Sequence, residues 1–164
     1  MASSSSSAPL ESADTVATRT AHVQSLLDRL LQNSPIYGFT LSEIKLESVS
    51  RGFVTTALTL TETHVNSKGS LHGAVSATII DFTTGLAIAS WDLRPSTGAS
   101  VDMHISYLST AKAGDTIRIE TTAERVGGSL AFVSIKILKG DDIVTIGQHS
   151  KFVRGTAPVV PLKN

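Results

Sequence analysis

Apolar residues recur every three or four positions along the segment 14–33, with charged and amide side chains between them. They are Val16, Val23, Leu27, Leu30 and Leu31. At 3.6 residues per turn this spacing gives a helix with one apolar face. Asp14 is placed to cap its start, and Pro35 disfavours helical geometry in the residue before it. The pattern therefore predicts a helix over residues 14–33, packed on the surface of a domain.

Alternation of apolar and polar residues predicts strands in much of the remaining chain. The predicted strands cover residues 40–49, 53–61, 101–107, 117–124, 131–137 and 143–153. Glycine-containing turns join the first strand to the second, the fourth to the fifth and the fifth to the sixth. The pattern therefore predicts about six strands, with the turn-connected neighbours antiparallel.

The segment 71–91 is apolar nearly all round and contains one charged residue, Asp81. An all-round apolar helix is buried. Its length suits a bilayer, but His72, Asp81, Gly85 and several hydroxyl side chains make it a poor membrane span. We expect instead a central helix of about 30 Å, enclosed by a curved sheet. The predicted fold class is α+β, with no membrane span.

Composition narrows the function classes. The 164 residues contain fourteen Lys+Arg and fourteen Asp+Glu, so no net positive charge favours nucleic acid or anionic lipid. The chain has no cysteine, which excludes disulfides and thiolate nucleophiles. Its five histidines lack a metal-ligand spacing, and no phosphate-binding glycine motif is present. We predict neither metal nor cofactor.

The two ends differ from the middle. Residues 1–13 contain a serine run and residues 154–164 contain two prolines, so we expect a flexible leader, one domain over 14–153 and an extended tail. Serine richness also occurs in mitochondrial transit peptides, but Glu11 and Asp14 precede the first basic residue, Arg19. A cytoplasmic location is therefore expected, with the mitochondrion as the alternative.

Asp81 and Gly73 are the candidate chemical positions on the central helix. A carboxylate in an apolar helix has a perturbed pKa, and such groups concentrate at functional sites. The structural alternative is a buried Asp81 bonded to nearby threonine hydroxyls. The free N–H groups at the helix start, near Gly73, suit a developing oxyanion, although Ser70 or water would satisfy them equally well.

Helix geometry separates these positions. His72 and Asp81 are nine residues apart, so in a continuous helix they face opposite sides at about 13.5 Å along the axis. Either the two positions are unrelated, or the helix start of one subunit faces Asp81 of another. In the second case a two-fold dimer has two equivalent sites.

The segments 64–74 (HVNSKGSLHGA) and 98–107 (GASVDMHISY), together with Asp81, closely resemble hotdog-fold acyl-CoA thioesterases of the PaaI-like branch. The resemblance covers about residues 40–153 and implies the hotdog fold. Ala74 departs from the usual second glycine of the motif. The Gly73 amide is unaffected by this change, but a narrower acyl pocket is expected.

The resemblance also implies residue roles and partners. Asp81 would activate water, Gly73 and Asn66 would polarise the thioester carbonyl, Ser100 would position the water, and His72 would orient the Asn66 region or the leaving group. The resemblance further implies that CoA contacts Tyr107, Lys112, Arg125 and Gly128. Acyl-CoA is the implied substrate, and the implied assembly is a dimer of dimers with sites between subunits.

Two other functions stay open at this point. The substrate could be an acyl group on a carrier protein or a polyketide intermediate rather than free acyl-CoA. A non-catalytic acyl-binding hotdog protein would keep the pocket without turnover. A serine hydrolase is disfavoured because Ser70 does not occupy the central position of a G-x-S-x-G motif.

Overall fold

A computed structural model describes residues 13–158 of the protein. The elements are α1 (Ala13–Asn33), α2 (Pro35–Thr40), β1 (Lys45–Ser50), β2 (Phe53–Thr59), a short 3-10 turn (Glu62–His64), α3 (Gly73–Asp92), β3 (Ala99–Tyr107), β4 (Thr116–Val126), β5 (Leu130–Lys139) and β6 (Asp142–Phe152). The six strands form one antiparallel sheet in the order β1-β2-β4-β5-β6-β3. The predicted α+β fold, a long helix wrapped by a sheet of six strands, is confirmed.

Helix α3 forms the centre of the core. It is long and apolar enough to cross a membrane by composition, but 72% of its most apolar stretch is buried inside the fold. Its threonine hydroxyls bond to carbonyls of their own helix, Thr83 to Ile79 at 2.9 Å and Thr84 to Ile80 at 2.7 Å. Burial of these polar groups therefore needs no partner outside α3.

The segment before β1 differs from the prediction. Residues 40–44 were expected in the first strand, but Thr40 ends helix α2 and the strand begins at Lys45. Pro35 does end α1 at Asn33, as predicted, yet it also occupies the first turn of α2. Proline suits that position because its fixed φ is helical and the missing N–H has no intrahelical acceptor there.

Helix α1 contacts the carboxyl end of α3. Arg19, which is buried, donates to the Ser90 carbonyl, and His22 Nε2 lies 3.1 Å from the Arg94 carbonyl. The C-cap of α3 is Leu93, in left-handed geometry with φ of 60°. These contacts satisfy carbonyls that no helical N–H reaches, and the Arg19 cation lies at the negative end of the helix dipole.

Strand β3 is at one edge of the sheet and pairs only with β6 among the described strands. A bulge lies between Ser100 and Asp102, and Val101 is 58% exposed. Residues 13–158 share one sheet and one core. Residues 1–12 of the predicted leader and residues 159–164 of the predicted tail lie outside the described residues, so the predicted domain limits stay predictions.

Candidate active site

The Asp81 carboxylate lies where α2, α3, β3 and β6 meet. It projects from α3 and is 33% exposed. The Tyr37 hydroxyl donates to Oδ2 at 2.6 Å, and the Ser100 hydroxyl donates to Oδ1 at 3.1 Å. Asp81 and Ser100, which the sequence analysis named for different roles, are therefore in contact. The threonine hydroxyls proposed as structural partners do not bond to Asp81, because they are bonded to helix carbonyls.

Two basic side chains from β6 also face this carboxylate. Lys151 Nζ lies 3.4 Å and His149 Nε2 lies 3.9 Å from Asp81 Oδ1. Both side chains are almost fully buried. His149 Nδ1 is 3.1 Å from the Thr84 hydroxyl, whereas Nε2 has no hydrogen-bond partner in the described part of the chain. Asp81 therefore lies in a pocket of hydrogen-bond donors rather than in an apolar cavity.

These donors keep Asp81 ionised. Burial by itself raises the pKa of Asp81, but the hydrogen bond from Tyr37 and the charge of Lys151 outweigh it, and the pKa is lower than usual. The Ser100 hydrogen bond acts in the same direction. Burial also lowers the pKa of His149, and the charge of Lys151 lowers it further. At neutral pH the site therefore pairs a carboxylate with an ammonium and a neutral imidazole.

A second group of predicted residues surrounds the start of α3. Asn66, Gly73 and Tyr107 line a cavity of about 490 Å³ together with Ser109 and other residues. The Gly73 N–H has no acceptor among residues 13–158, since the first turn is capped by His72 Nδ1 accepting from the Ala74 N–H at 3.0 Å. His72 is thus the N-cap of α3, a role for which the sequence suggested Ser70 or water.

Tyr107 closes this cavity against the helix start. Its hydroxyl donates to the Gly73 carbonyl at 3.2 Å. A Cβ on residue 73 would lie 3.2 Å from the same hydroxyl, so the tyrosine fits closely over a glycine. Because glycine has no side chain, nothing on residue 73 itself covers its N–H, as an oxyanion donor requires.

The two groups are separate within one chain. Gly73 and Asp81 are eight residues apart on α3, which corresponds to about 12 Å along the helix. Asp81 contacts the β3 end at Ser100, whereas Gly73 contacts the opposite end of the same strand at Tyr107. One chain therefore carries two separate groups of candidate residues, the Asp81 group and the Gly73 group, as the distance between His72 and Asp81 along a helix predicted.

The residues expected to contact CoA are also divided. Lys112 is exposed and follows Thr110, which lines the Gly73 cavity. Arg125 and Gly128 are exposed near the β4–β5 turn, close to Leu130, which pairs with Phe152 at the other end of the sheet. The length of β3 separates these ends by about 25 Å. Within one chain, only Tyr107 and Lys112 lie beside the helix start.

Sequence reasoning missed three residues of the Asp81 group, namely Tyr37, His149 and Lys151. Strand β6 contained a usable signal, because His149 and Lys151 alternate in phase with the buried Thr145. Charged or imidazole groups on the buried face of a strand need partners. No comparable signal marked Tyr37, since residues 35–40 carried no helical pattern of their own.

Comparison with known proteins identifies the family. Residues 68–146 match the model of the thioesterase superfamily. Human acyl-coenzyme A thioesterase 13 is 34% identical over 113 residues, which are 68% of this chain and 80% of the human protein. The chain belongs to the thioesterase superfamily.

Solved structures agree with this assignment to the thioesterase superfamily. Zebra fish thioesterase superfamily member 2 aligns with a TM-score of 0.70 at 28% identity, covering 84% of this chain and 96% of the fish chain. The PaaI protein of Escherichia coli, from the phenylacetic acid degradation operon, has the same fold, with a TM-score of 0.68 at 20% identity over 85% and 99% of the two chains. The resemblance to PaaI-like hotdog thioesterases is confirmed.

The thioesterase superfamily match covers Asp81, Gly73 and Ser100 but not Tyr37 or Lys151, which lie outside residues 68–146. In residues 13–158 no group of three His, Cys, Asp or Glu side chains is placed to hold a metal ion. The described residues therefore provide a carboxylate with hydroxyl and ammonium neighbours, and a backbone amide without an acceptor about 12 Å along α3. That set of groups suits the hydrolysis of an activated acyl bond.

Proposed function

We propose that this thioesterase superfamily member hydrolyses acyl-CoA to a free acid and CoA, with Asp81 as general base. The observation that carries the proposal is the Asp81 carboxylate, held ionised by Tyr37, Ser100 and Lys151 yet still partly open to solvent. An ionised carboxylate within reach of water is the required starting state for a base. Acyl-coenzyme A thioesterase 13, whose name states its substrate, supports the choice of acyl-CoA.

The proposed chemistry treats the Asp81 group and the Gly73 group as two halves of one site. Asp81 takes a proton from water as the water oxygen bonds to the thioester carbonyl carbon. The carbonyl π electrons move to its oxygen, which the Gly73 N–H and the Asn66 amide stabilise. When the C=O bond re-forms, the C–S bond breaks, and the CoA thiolate leaves and takes a proton from Asp81 or from solvent. Ser100 holds the water beside the carboxylate.

A complete site needs two copies of the chain. Asp81 and Gly73 are about 12 Å apart along α3, too far for both to contact one thioester group. The unpaired edge of β3 exposes Ser100 and Val101, and an antiparallel second copy at this edge would extend the sheet. We infer that the helix start of one copy completes the site around Asp81 of its partner.

The outer face of the sheet supports a second pairing. Phe132, Ile146 and Phe152 are each more than a third exposed on β5 and β6. Phe132 and Phe152 are diagonal neighbours on this face, and exposed apolar side chains that lie together favour association. A dimer of dimers is therefore the proposed assembly, and its mass in sedimentation equilibrium or light scattering is the direct measurement.

CoA is proposed to enter beside Tyr107. The cavity at Asn66 and Gly73 opens next to the exposed Lys112, whose ammonium suits a phosphate group. Arg125 and Gly128 lie at the opposite end of the sheet in the same chain, so we propose that the partner copy supplies them to the same CoA. Lys112→Ala is expected to raise KM for acyl-CoA.

The decisive experiment compares wild type with Asp81→Asn on a panel of acyl-CoAs from acetyl to palmitoyl, including phenylacetyl and hydroxybenzoyl esters, with thiol release as the readout. Asp81→Asn keeps the shape of the side chain but removes its basicity, so turnover is expected to fall at least a hundredfold. Asp141→Asn is the matched control, because Asp141 is exposed in the β5–β6 turn.

Other outcomes separate the remaining functions. Undiminished turnover by Asp81→Asn would contradict the mechanism. A wild type that is inert on free acyl-CoAs but cleaves pantetheinyl-protein thioesters would assign a carrier-protein substrate. Binding of acyl-CoA without hydrolysis of either substrate would assign a non-catalytic role.

A further inference from the structure

We propose that Tyr37 is a positioning residue for Asp81: its hydroxyl holds carboxylate oxygen Oδ2 and thereby fixes the orientation of the carboxylate that takes the proton of the attacking water. This inference rests on the proposed thioesterase function.

The partners of Asp81 divide cleanly between its two oxygens. The Tyr37 hydroxyl lies 2.6 Å from Oδ2. The other three neighbours approach Oδ1: Ser100 at 3.1 Å, Lys151 at 3.4 Å and His149 at 3.9 Å. A carboxylate held at both oxygens cannot rotate about its χ2 angle, so the plane of the base is fixed before water binds.

Packing supports Tyr37 from behind. Its ring meets Phe82 edge to face, with centroids 5.1 Å apart and an interplanar angle of 72°. Helix α2 is pressed onto the end of α1, since a Cβ on Gly38 would lie 2.7 Å from the Leu31 carbonyl oxygen. The hydroxyl therefore reaches Asp81 from a fixed ring on a closely packed helix.

Hydrophobic packing alone does not explain a tyrosine at this position. Phenylalanine would make the same edge-to-face contact with Phe82. The hydroxyl has one partner in the described chain, Asp81. A half-buried tyrosine hydroxyl directed at the Asp81 carboxylate is more than the packing against Phe82 requires.

The charges around the pair set the direction of the pH effect. Burial and the bond to Asp81 raise the pKa of Tyr37 far above its usual value, so the phenol stays protonated and donates. The groups facing Asp81 are Tyr37 from α2, Ser100 from β3, and His149 and Lys151 from β6. Of the contributions that lower the pKa of Asp81, the Tyr37 hydrogen bond is the largest. Without the hydroxyl, Asp81 becomes protonated at higher pH.

Tyr37→Phe tests the proposal, with kcat and KM measured against pH. A misplaced carboxylate is expected to lower kcat about tenfold with KM within about twofold, since the loss is confined to the transition state. The acid limb of kcat/KM is expected to move to higher pH, because the fraction of ionised Asp81 falls. Tyr107→Phe is the matched control. It removes a hydroxyl bonded to the Gly73 carbonyl, so its acid limb is expected to stay in place.

A second test avoids any dependence on the folding of Tyr37→Phe. In Tyr107→Phe protein, Tyr37 is the only tyrosine, because the chain contains two. Incorporated fluorotyrosine is a stronger donor, and it is expected to move the acid limb to lower pH. An acid limb that stays in place in both experiments overturns the proposal.

Failure of this proposal is distinguishable from failure of the proposed function. If Tyr37→Phe retains the kcat and acid limb of wild type while Asp81→Asn is inactive, Tyr37 is merely structural and the thioesterase mechanism stands. If Asp81→Asn itself retains turnover, the mechanism falls and Tyr37 has no base to position.

Discussion

The oxygen and the nitrogen of the Asn66 side-chain amide have different functions. Oδ1 accepts from the backbone N–H groups of Lys68 at 2.9 Å and Ser70 at 3.2 Å, which closes the loop before α3. The amide nitrogen is the end that remains for a ligand in the cavity. One residue therefore shapes the loop and supplies the proposed donor to the oxyanion.

Asn66→Asp separates these two tasks. Aspartate keeps the acceptor for the loop but replaces the donor with a charged oxygen, so kcat is expected to fall a hundredfold or more while thermal stability changes little. Asn66→Ala loses the loop acceptor as well and is expected to lower the melting temperature. Steady-state kinetics and thermal denaturation are the measurements. An Asn66→Asp enzyme with normal kcat would show that the donor lies elsewhere.

His149 makes stability depend on pH. Burial lowers its folded-state pKa below that of the unfolded chain, so the stability it contributes is complete above the unfolded pKa of 6.5 and is lost as pH falls. Asp81 acts in the same direction but at more acidic pH, from an ordinary value of 3.8. We expect the urea midpoint to decrease as pH falls below about 6.5.

His149→Asn removes this titration. The asparagine amide can still reach the Thr84 hydroxyl, which is 3.1 Å from His149 Nδ1. Its urea midpoint is expected to vary less between about pH 7 and pH 5 than that of wild type. Equal pH dependence in both proteins would assign the proton uptake to another group.

Local pattern predicted most of the secondary structure and about half of the site. The apolar stretch around Asp81 predicted the central helix, and Asp81 was recognised as the one charged residue within it, from sequence alone. Asp81 and Ser100 do meet, and Asn66 and Gly73 share one cavity. Tyr37 was missed because its partner is 44 residues away and only tertiary packing brings the two together.

Helix α2 shows how context changes a local preference. Residues 40–44 resemble the start of a strand, but Pro35 begins a short helix whose backbone packs against Leu31. Six residues do not form a stable helix alone. The contacts with α1 and with Phe82 therefore supply the stability that the sequence pattern does not show.

Arg19 is expected to stabilise the junction of α1 and α3. Replacing it with Met keeps much of the apolar stem but leaves the Ser90 carbonyl without this donor, at a cost of about 2 kcal/mol in free energy of unfolding. Chemical denaturation measures the loss. Arg29→Met is the exposed comparison, since Arg29 bonds to the Pro95 carbonyl at the surface, and its effect is expected to be smaller. Equal effects would contradict a special contribution from burial.

At the scale of the whole molecule, the proposed sharing of each site between two copies predicts that two inactive variants can complement each other. Asp81→Asn and Asn66→Asp disable opposite halves of the proposed site. In a mixed two-fold dimer one site receives both defects and the other receives neither. Random pairing of equal amounts is therefore expected to restore about a quarter of wild-type activity.

The mixing experiment has a clear contrary result. Differently tagged variants first establish by affinity capture that mixed oligomers have formed. If those oligomers stay inactive, Asp81 and Asn66 must act within the same chain. Asp81→Asn protein taken alone through the same mixing procedure is the control. If this control gains activity, the recovery does not come from shared sites.

The interval between Gly73 and Asp81 on helix α3 also limits where related chains can gain or lose residues. Inserting one residue between Gly73 and Asp81 would turn the carboxylate by about 100° and move it by 1.5 Å, away from Ser100 and Lys151. A deletion would do the same in the opposite sense. Functional relatives should therefore keep the eight-residue interval while insertions and deletions collect in surface loops such as the β5–β6 turn.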